Sequence, residues 1–195
     1  MLHEVVRQWL TPRSWLDYQP AWLGAAEAAA LMVRLRDQLV WEQRSIVLFG
    51  REVLQPRLIA WAGEQPYRYS GRTLEARPFT GDLAALRDRV AAQAGAPFDH
   101  VLVNRYRDGN DSMGMHADDE PELGPDPVVA ALSLGAPRRL VIQPRRKRDG
   151  QRRVLQLEPG SLLVMGGAFQ HELRHGLPRA AGAGERISLT YRHIL

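Results

Sequence analysis

The sequence predicts an α+β fold, mainly β, with helices first and an antiparallel barrel or sandwich after them. Three observations carry that prediction. Two stretches with helical periodicity lie before Gly95, short β-rich runs dominate after it, and no long helix separates those runs. At 195 residues the chain is long enough for one domain with a substantial core and short for two.

Residues 1–23 have an irregular pattern, with Pro12, Pro20 and three tryptophans, and read as a lead segment packing over the domain. From Gly24 to about Gln43 an alanine-rich stretch predicts a helix, with Ala28, Leu31, Leu35 and Leu39 on one face. A short strand is expected over 45–50. A second helix is expected from about Gly81 to Ala94, with Thr80 as N-cap and Gly95 as its stop. The later β-rich runs cover 100–106, 128–134, 138–144, 153–158, 161–166 and 186–192, and Asp149-Gly150 is a two-residue hairpin signal.

Composition removes several classes. With no cysteine, disulfides and thiolate metal sites are both excluded. No apolar run approaches the roughly 20 residues needed to span a bilayer, and the first ten residues resemble no signal peptide. The expectation is a cytoplasmic monomer without membrane contact. The net charge is +4, carried almost wholly by arginine, since Lys147 is the only lysine. Half of the residues from Arg138 to Arg153 are arginine or lysine, a cluster suited to phosphate.

The chemistry-bearing residues form a pattern. His116 and Asp118 lie two apart, so in an extended segment both side chains reach one ion. A later histidine completes two imidazoles and one carboxylate, the facial triad of non-haem iron(II) oxygenases. Spacing alone leaves both His171 and His175 open as that ligand. On the last expected strand Arg186, Ser188, Thr190 and Arg192 share a face by alternation. Two inward guanidiniums are costly in a barrel unless an anion pairs with them, and a dicarboxylate co-substrate supplies one. A structural salt-bridge face is the plainer reading of that pair. A zinc hydrolase could use the same ligand types, but it leaves the arginines without a task.

The stretch from Asn104 through His116, Asp118, Asp119 and Glu120, then Gly160 to Gly167, Arg174-His175-Gly176 and Arg186 to Arg192, resembles the AlkB family of nucleic-acid dealkylating dioxygenases. The resemblance covers roughly 45–195 and looks closest to the duplex-DNA repair branch. It implies a double-stranded β-helix (jelly-roll) core, with helices packed outside and a nucleotide-recognition lid. It implies Fe(II) as cofactor and 2-oxoglutarate as co-substrate, with His116, Asp118 and His175 as the metal ligands. Asn104, Tyr106, Arg186 and Arg192 match positions that contact 2-oxoglutarate, and Ser188 stands where the family often has asparagine. The division implied is an N-terminal extension and helix over 1–44, the lid and its supporting helix over 45–98, and the catalytic core over 99–195, together one dioxygenase domain.

The activity implied is oxidative demethylation of N1-methyladenine and N3-methylcytosine, which consumes O2 and releases formaldehyde, succinate and CO2. In the lid, Tyr67 and Tyr69 alternate onto one face, and the match places Tyr69 over a base swung out of its helix. Phe49, in Leu48-Phe49-Gly50, resembles the wedge that fills the gap. Asp119 and Glu120 are carboxylates suited to an exocyclic amine or a cationic ring, with Asp119 the preferred contact. Arg145, Arg146, Lys147 and Arg148 would meet phosphates without reading sequence. The partner expected is DNA in preference to RNA. The alternative is a 2-oxoglutarate dioxygenase acting on RNA, a protein side chain or a small molecule.

Overall fold

The structure is a computed structural model that describes residues 7–48, 51–69, 72–146 and 150–195. In chain order the elements are β1 (Gln8–Trp9), β2 (Ser14–Gln19), α1 (Ala25–Gln38), β3 (Ser45–Leu48), β4 (Arg51–Leu54), β5 (Leu58–Gly63), β6 (Tyr67–Tyr69), β7 (Arg72–Leu74), α2 (Gly81–Ala94) and β8 (His100–Tyr106). They continue with β9 (Met113–His116), β10 (Val129–Gly135), β11 (Arg138–Pro144), β12 (Arg153–Leu157), β13 (Leu162–Gly167), α3 (Phe169–Glu172), β14 (Leu173–Leu177) and β15 (Arg186–Arg192). A seven-stranded sheet runs β1-β2-β13-β10-β15-β8-β5, a four-stranded sheet runs β12-β11-β14-β9, and two hairpins, β3-β4 and β6-β7, stand apart from both. The pairings within the two larger sheets are antiparallel, giving the jelly roll.

Alternation along the strands explains how the seven-stranded sheet can be covered on both faces. On β15, Ile187, Leu189 and Tyr191 join a core with Leu31 and Leu35 of α1 and Leu86 and Val90 of α2. The residues between them, Arg186, Ser188, Thr190 and Arg192, line a cavity facing the smaller sheet. A second core fills the space between the sheets, with Val129, Leu163 and Met165 on one side and Leu140, Ile142 and Leu157 on the other. Burial of each such leucine or isoleucine is worth about 1.5–3 kcal/mol.

Several expectations are corrected. Helix α1 ends at Gln38 rather than near Gln43, because Glu42 exchanges backbone hydrogen bonds of 2.8 Å with Ile59 and needs an extended chain to do so. Leu39 becomes the C-cap, its N–H donating to the Leu35 carbonyl. The lead segment is not irregular throughout, since β2 pairs with β13 from Gln19↔Leu162 to Ser14↔Gly167. The strand expected over 45–50 is β3, and it pairs antiparallel with β4, a further strand the sequence reading did not expect. Helix α2 runs from Gly81 to Ala94 as expected, stopped by Gly95 at φ 64°. Thr80 stands at its N-cap without a side-chain hydrogen bond. Strands β11 and β12 pair as the hairpin reading required, although Asp149 of the expected turn lies outside the described residues. Among the described residues no helix is long and apolar enough to cross a membrane.

A third small core, which takes in the β6-β7 hairpin, holds Trp61, Tyr67, Leu74 and Leu102. His100 packs there, 4.8 Å between ring centroids from Tyr67 and 1% exposed, with neither ring nitrogen bonded among the described residues. Burial, reinforced by the Arg192 charge, lowers its pKa to about 3. The folded chain therefore keeps His100 neutral while the unfolded chain takes up a proton near pH 6.5. Its contribution is intact above about pH 6.5 and is lost as the pH falls towards 3. Urea unfolding of His100→Phe should show a flatter decline of stability below about pH 6.5 than the parent. An unchanged slope would remove His100 from the account.

Candidate metal centre

Strand β9 ends on His116, and β14 pairs with it so that His175 stands opposite His116. The two rings are 4.4 Å apart between centroids. One ligand atom from each of His116, Asp118 and His175 lies within 4.8 Å of the other two. The glycine after His175 allows this approach, because a Cβ on Gly176 would come within 2.8 Å of the Met115 Sδ. The His116 Nδ1–H donates to the Gly114 carbonyl at 2.9 Å, which leaves Nε2 as the free lone pair. His171 is not part of the cluster: it is exposed on α3, with Nε2 against the Pro125 carbonyl.

Asp118 is 1% exposed and held from two sides. Arg192 Nη2 donates to its Oδ1 at 2.6 Å, and its own N–H donates to the Gln170 Oε1 at 3.0 Å. Burial would raise its pKa, but the Arg192 charge, the neighbouring His116 and His175 and the Arg192 hydrogen bond together outweigh that and lower it to about 2. Burial, with the His116 charge behind it, lowers His175 to about 3, and burial also lowers His116. Near neutral pH the cluster is thus one carboxylate and two neutral imidazoles, the protonation states a metal requires. Asp118 Oδ2 has no hydrogen-bond partner among the described residues and faces His175 Nε2 at 3.9 Å. A divalent cation would satisfy that orphaned oxygen.

A small cavity of about 50 Å³ lies beside this cluster. Asn104, Tyr106, Arg186, Ser188 and Arg192 line it. Arg186 donates to the Ser133 and Ser188 hydroxyls at 2.9 and 3.3 Å and meets no carboxylate among the described residues. Its guanidinium lies 5.2 Å from the Tyr106 ring centroid. Burial, with the nearby Arg138 charge, lowers its pKa, so an anion is what this pocket lacks. Arg192 is committed to Asp118, yet its Nε and Nη1 are buried without a partner among the described residues.

The mouth departs from the sequence reading. Asp119 turns outward and forms an ion pair with Arg145, so Arg145 is not a free cation on a hairpin tip. The Gln170 carbonyl accepts from the same guanidinium at 2.8 Å. Glu120 is the carboxylate that turns inward: burial raises its pKa, and Arg192 and Asp118 act on it as neighbouring charges. Tyr67 is fully buried, with no ring face open to a base, and its hydroxyl faces Glu120. Tyr69 is placed on β6, paired with Arg72. Arg146 is exposed, while Phe49, Lys147 and Arg148 lie outside the described residues.

Comparison with known proteins completes the picture. The family model for the 2OG-Fe(II) oxygenase superfamily matches residues 16–192. The chain belongs to the 2OG-Fe(II) oxygenase superfamily. It is 37% identical over 184 residues to the alpha-ketoglutarate-dependent dioxygenase alkB homolog 3 of Rattus norvegicus, covering 90% of this chain and 62% of that protein. To the human alkB homolog 3 it is 35% identical, covering 90% of this chain and 64% of that protein. The chain therefore spans less than two thirds of the length of these relatives. It is also 37% identical to the DNA oxidative demethylase ALKBH2 of Mus musculus, covering 88% of this chain and 77% of that protein. A solved structure of OsALKBH1 superposes with a TM-score of 0.68, covering 96% of this chain and all of that one, at 18% identity, a likeness of fold.

As a 2OG-Fe(II) oxygenase the chain uses Fe(II) and 2-oxoglutarate, and the orphaned Asp118 oxygen and the carboxylate-free Arg186 fit that pair. Two supporting residues escaped the sequence reading. Gln170, fully buried, clamps the Asp118 backbone from α3, and no local pattern marks it. Arg57, in Gln55-Pro56-Arg57 before β5, donates from Nε to the Asn104 Oδ1 at 2.8 Å and so orients that amide. An arginine straight after a proline at a strand start was the available signal. Removing the Asp118 charge strands Arg192 in the interior, so Asp118→Asn should destabilise the metal-free protein by about 3–5 kcal/mol. Urea unfolding measures the loss, and Asp118→Asn/Arg192→Met should regain most of it. A single variant of parental stability would contradict the pairing.

Proposed function

We propose that this protein repairs DNA by direct reversal, oxidatively demethylating N1-methyladenine and N3-methylcytosine as a single-domain monomer in the cytoplasm. The observation that carries the reading is one cavity that joins a His-Asp-His cluster to a buried guanidinium lacking a carboxylate. A zinc hydrolase has no use for that second feature. The DNA substrate is supported by similarity to the mouse DNA oxidative demethylase over 77% of its length.

In this reading His116, Asp118 and His175 hold Fe(II). Arg186 pairs with the remote carboxylate of 2-oxoglutarate, helped by the Tyr106 hydroxyl. Asn104, oriented by Arg57, and the unpaired nitrogens of Arg192 serve its other end. When bound, the pair would supply the oxidation: O2 would convert 2-oxoglutarate to succinate and CO2 while the N-methyl group is hydroxylated, and the resulting hemiaminal would expel formaldehyde. The residues around it bind, orient and exclude water. At the mouth Glu120, rather than Asp119, offers its carboxylate to the base, and Tyr69 and Phe49 contact the flipped nucleotide. Arg145, which carries its Asp119 pair with it, and Arg146 serve the phosphate backbone.

The test is release of succinate and formaldehyde from oligonucleotides carrying each lesion, single-stranded and duplex, with Fe(II) and 2-oxoglutarate. Equal amounts of both products are expected. Turnover of a free metabolite with none of any methylated oligonucleotide would overturn the DNA assignment. His175→Ala should lose activity by more than about a hundredfold, above the 10–100-fold cost of an outer-shell partner, and His171→Ala should retain it. The reverse pattern would exchange the two histidines.

A further inference from the structure

An isolated two-stranded hairpin is at best marginally stable, yet β3-β4 and β6-β7 each pair with no other strand in the described residues. Something outside the ladders must hold them. Both are rooted on β5. At the first, the Gln55 N–H donates to the Arg44 carbonyl at 3.0 Å, and Glu42, just before it, bridges to Ile59. At the second, Arg77 and Gly63 exchange backbone hydrogen bonds of 3.0 and 2.8 Å. Trp61 sits between these roots, 4% exposed, and its indole N–H donates to the Glu75 carbonyl at 2.8 Å.

Four side chains tie the roots together. The Arg77 guanidinium lies 3.5 Å from a Trp61 ring centroid and that of Arg44 lies 4.6 Å from it. Glu42 accepts from both, Arg77 Nη2 on Oε1 at 2.7 Å and Arg44 Nε on Oε2 at 2.8 Å. Arg44, on the first hairpin's root, also reaches the Thr73 carbonyl on the second at 3.5 Å. One carboxylate thus holds two cations against one indole. None of the four residues lines the metal cavity.

We propose that Glu42, Arg44, Trp61 and Arg77 form a positioning cluster that fixes the two hairpins relative to each other and to β5, and thereby sets how the nucleic-acid substrate is held. The substrate part rests on the function proposed above, since Tyr69 belongs to β6. Without the Glu42 charge the two guanidiniums repel across the indole, and both hairpin roots loosen together. Burial acts to raise the Glu42 carboxyl, but the hydrogen bonds from Arg77 and Arg44 outweigh it and hold it below the ordinary carboxylate range. The cluster therefore stays charged at neutral pH.

Glu42→Gln keeps the shape and removes the charge. Its KM for a methylated oligonucleotide should rise roughly tenfold, the order of one lost charge-assisted hydrogen bond. Its consumption of 2-oxoglutarate without oligonucleotide should stay within about twofold of the parent, and Glu42→Asp should recover part of the KM. Amide exchange should accelerate in β3, β4, β6 and β7 together and stay unchanged in β8 and β15. An unaltered KM, or exchange rising in one hairpin alone or throughout the chain, would overturn the cluster's role. If the parent acts on no methylated oligonucleotide, the functional reading fails, and the exchange pattern still decides whether the cluster positions the hairpins.

Discussion

A guanidinium sealed inside a β-sandwich must find an anion, and β15 carries two of them on one face. Arg192 finds its anion within the protein, in Asp118 at 2.6 Å. Among the described residues Arg186 finds the Ser133 and Ser188 hydroxyls, with Tyr106 alongside, and no carboxylate. Burying an ion this way costs several kcal/mol. The chain therefore holds, in one cavity, an oxygen in want of a cation and a cation in want of a carboxylate. In the proposed reading Fe(II) and 2-oxoglutarate answer both at once, and the rest of the fold maintains that imbalance.

The topology shows how. Strand β15 lies between β10 and β8, so both of its backbone edges are paired and its polar face is held in place. The register Arg186↔Tyr106 and Ser188↔Asn104 places the second row of polar side chains beside the first. Across the cavity, β9 and β14 bring the imidazoles together, and Gln170 fixes the carboxylate between them. A third buried arginine, Arg138, closes the end beyond Arg186. It donates to the carbonyls of Asp108, Asp111 and Pro178 at 3.3, 2.9 and 2.6 Å, joining two loops, and its charge bears on Arg186. Electrostatics and loop closure thus converge on the same strand.

What the sequence revealed follows from the range of each interaction. Period-two alternation is local, so the 186–192 strand and its polar face were legible, as were the 100–106 and 138–144 strands and the 81–94 helix. His116 and Asp118 were legible for the same reason. The choice of His175 over His171 needed the family resemblance, because it depends on β14 pairing with β9, a contact remote in sequence. Strands β2, β9 and β14 are short and mixed in polarity, and their partners define them. The end of α1 was misplaced because Ile59, far along the chain, claims Glu42. The preference for Asp119 over Glu120 shifts similarly: adjacent carboxylates look alike in sequence, and the ion pair with Arg145 shows that Asp119 turns away.

The central claim is that Arg186 is reserved for the remote carboxylate of the co-substrate while Arg192 serves the metal ligand. Anaerobic calorimetric titration of the Fe(II)-loaded protein with 2-oxoglutarate, and with 2-oxobutyrate, which lacks that carboxylate, tests it most directly. Arg186→Met should weaken 2-oxoglutarate by about a hundredfold or more, the cost of breaking one buried charge pair, and leave 2-oxobutyrate and Fe(II) affinity unchanged. Undiminished binding of 2-oxoglutarate by Arg186→Met would contradict the account.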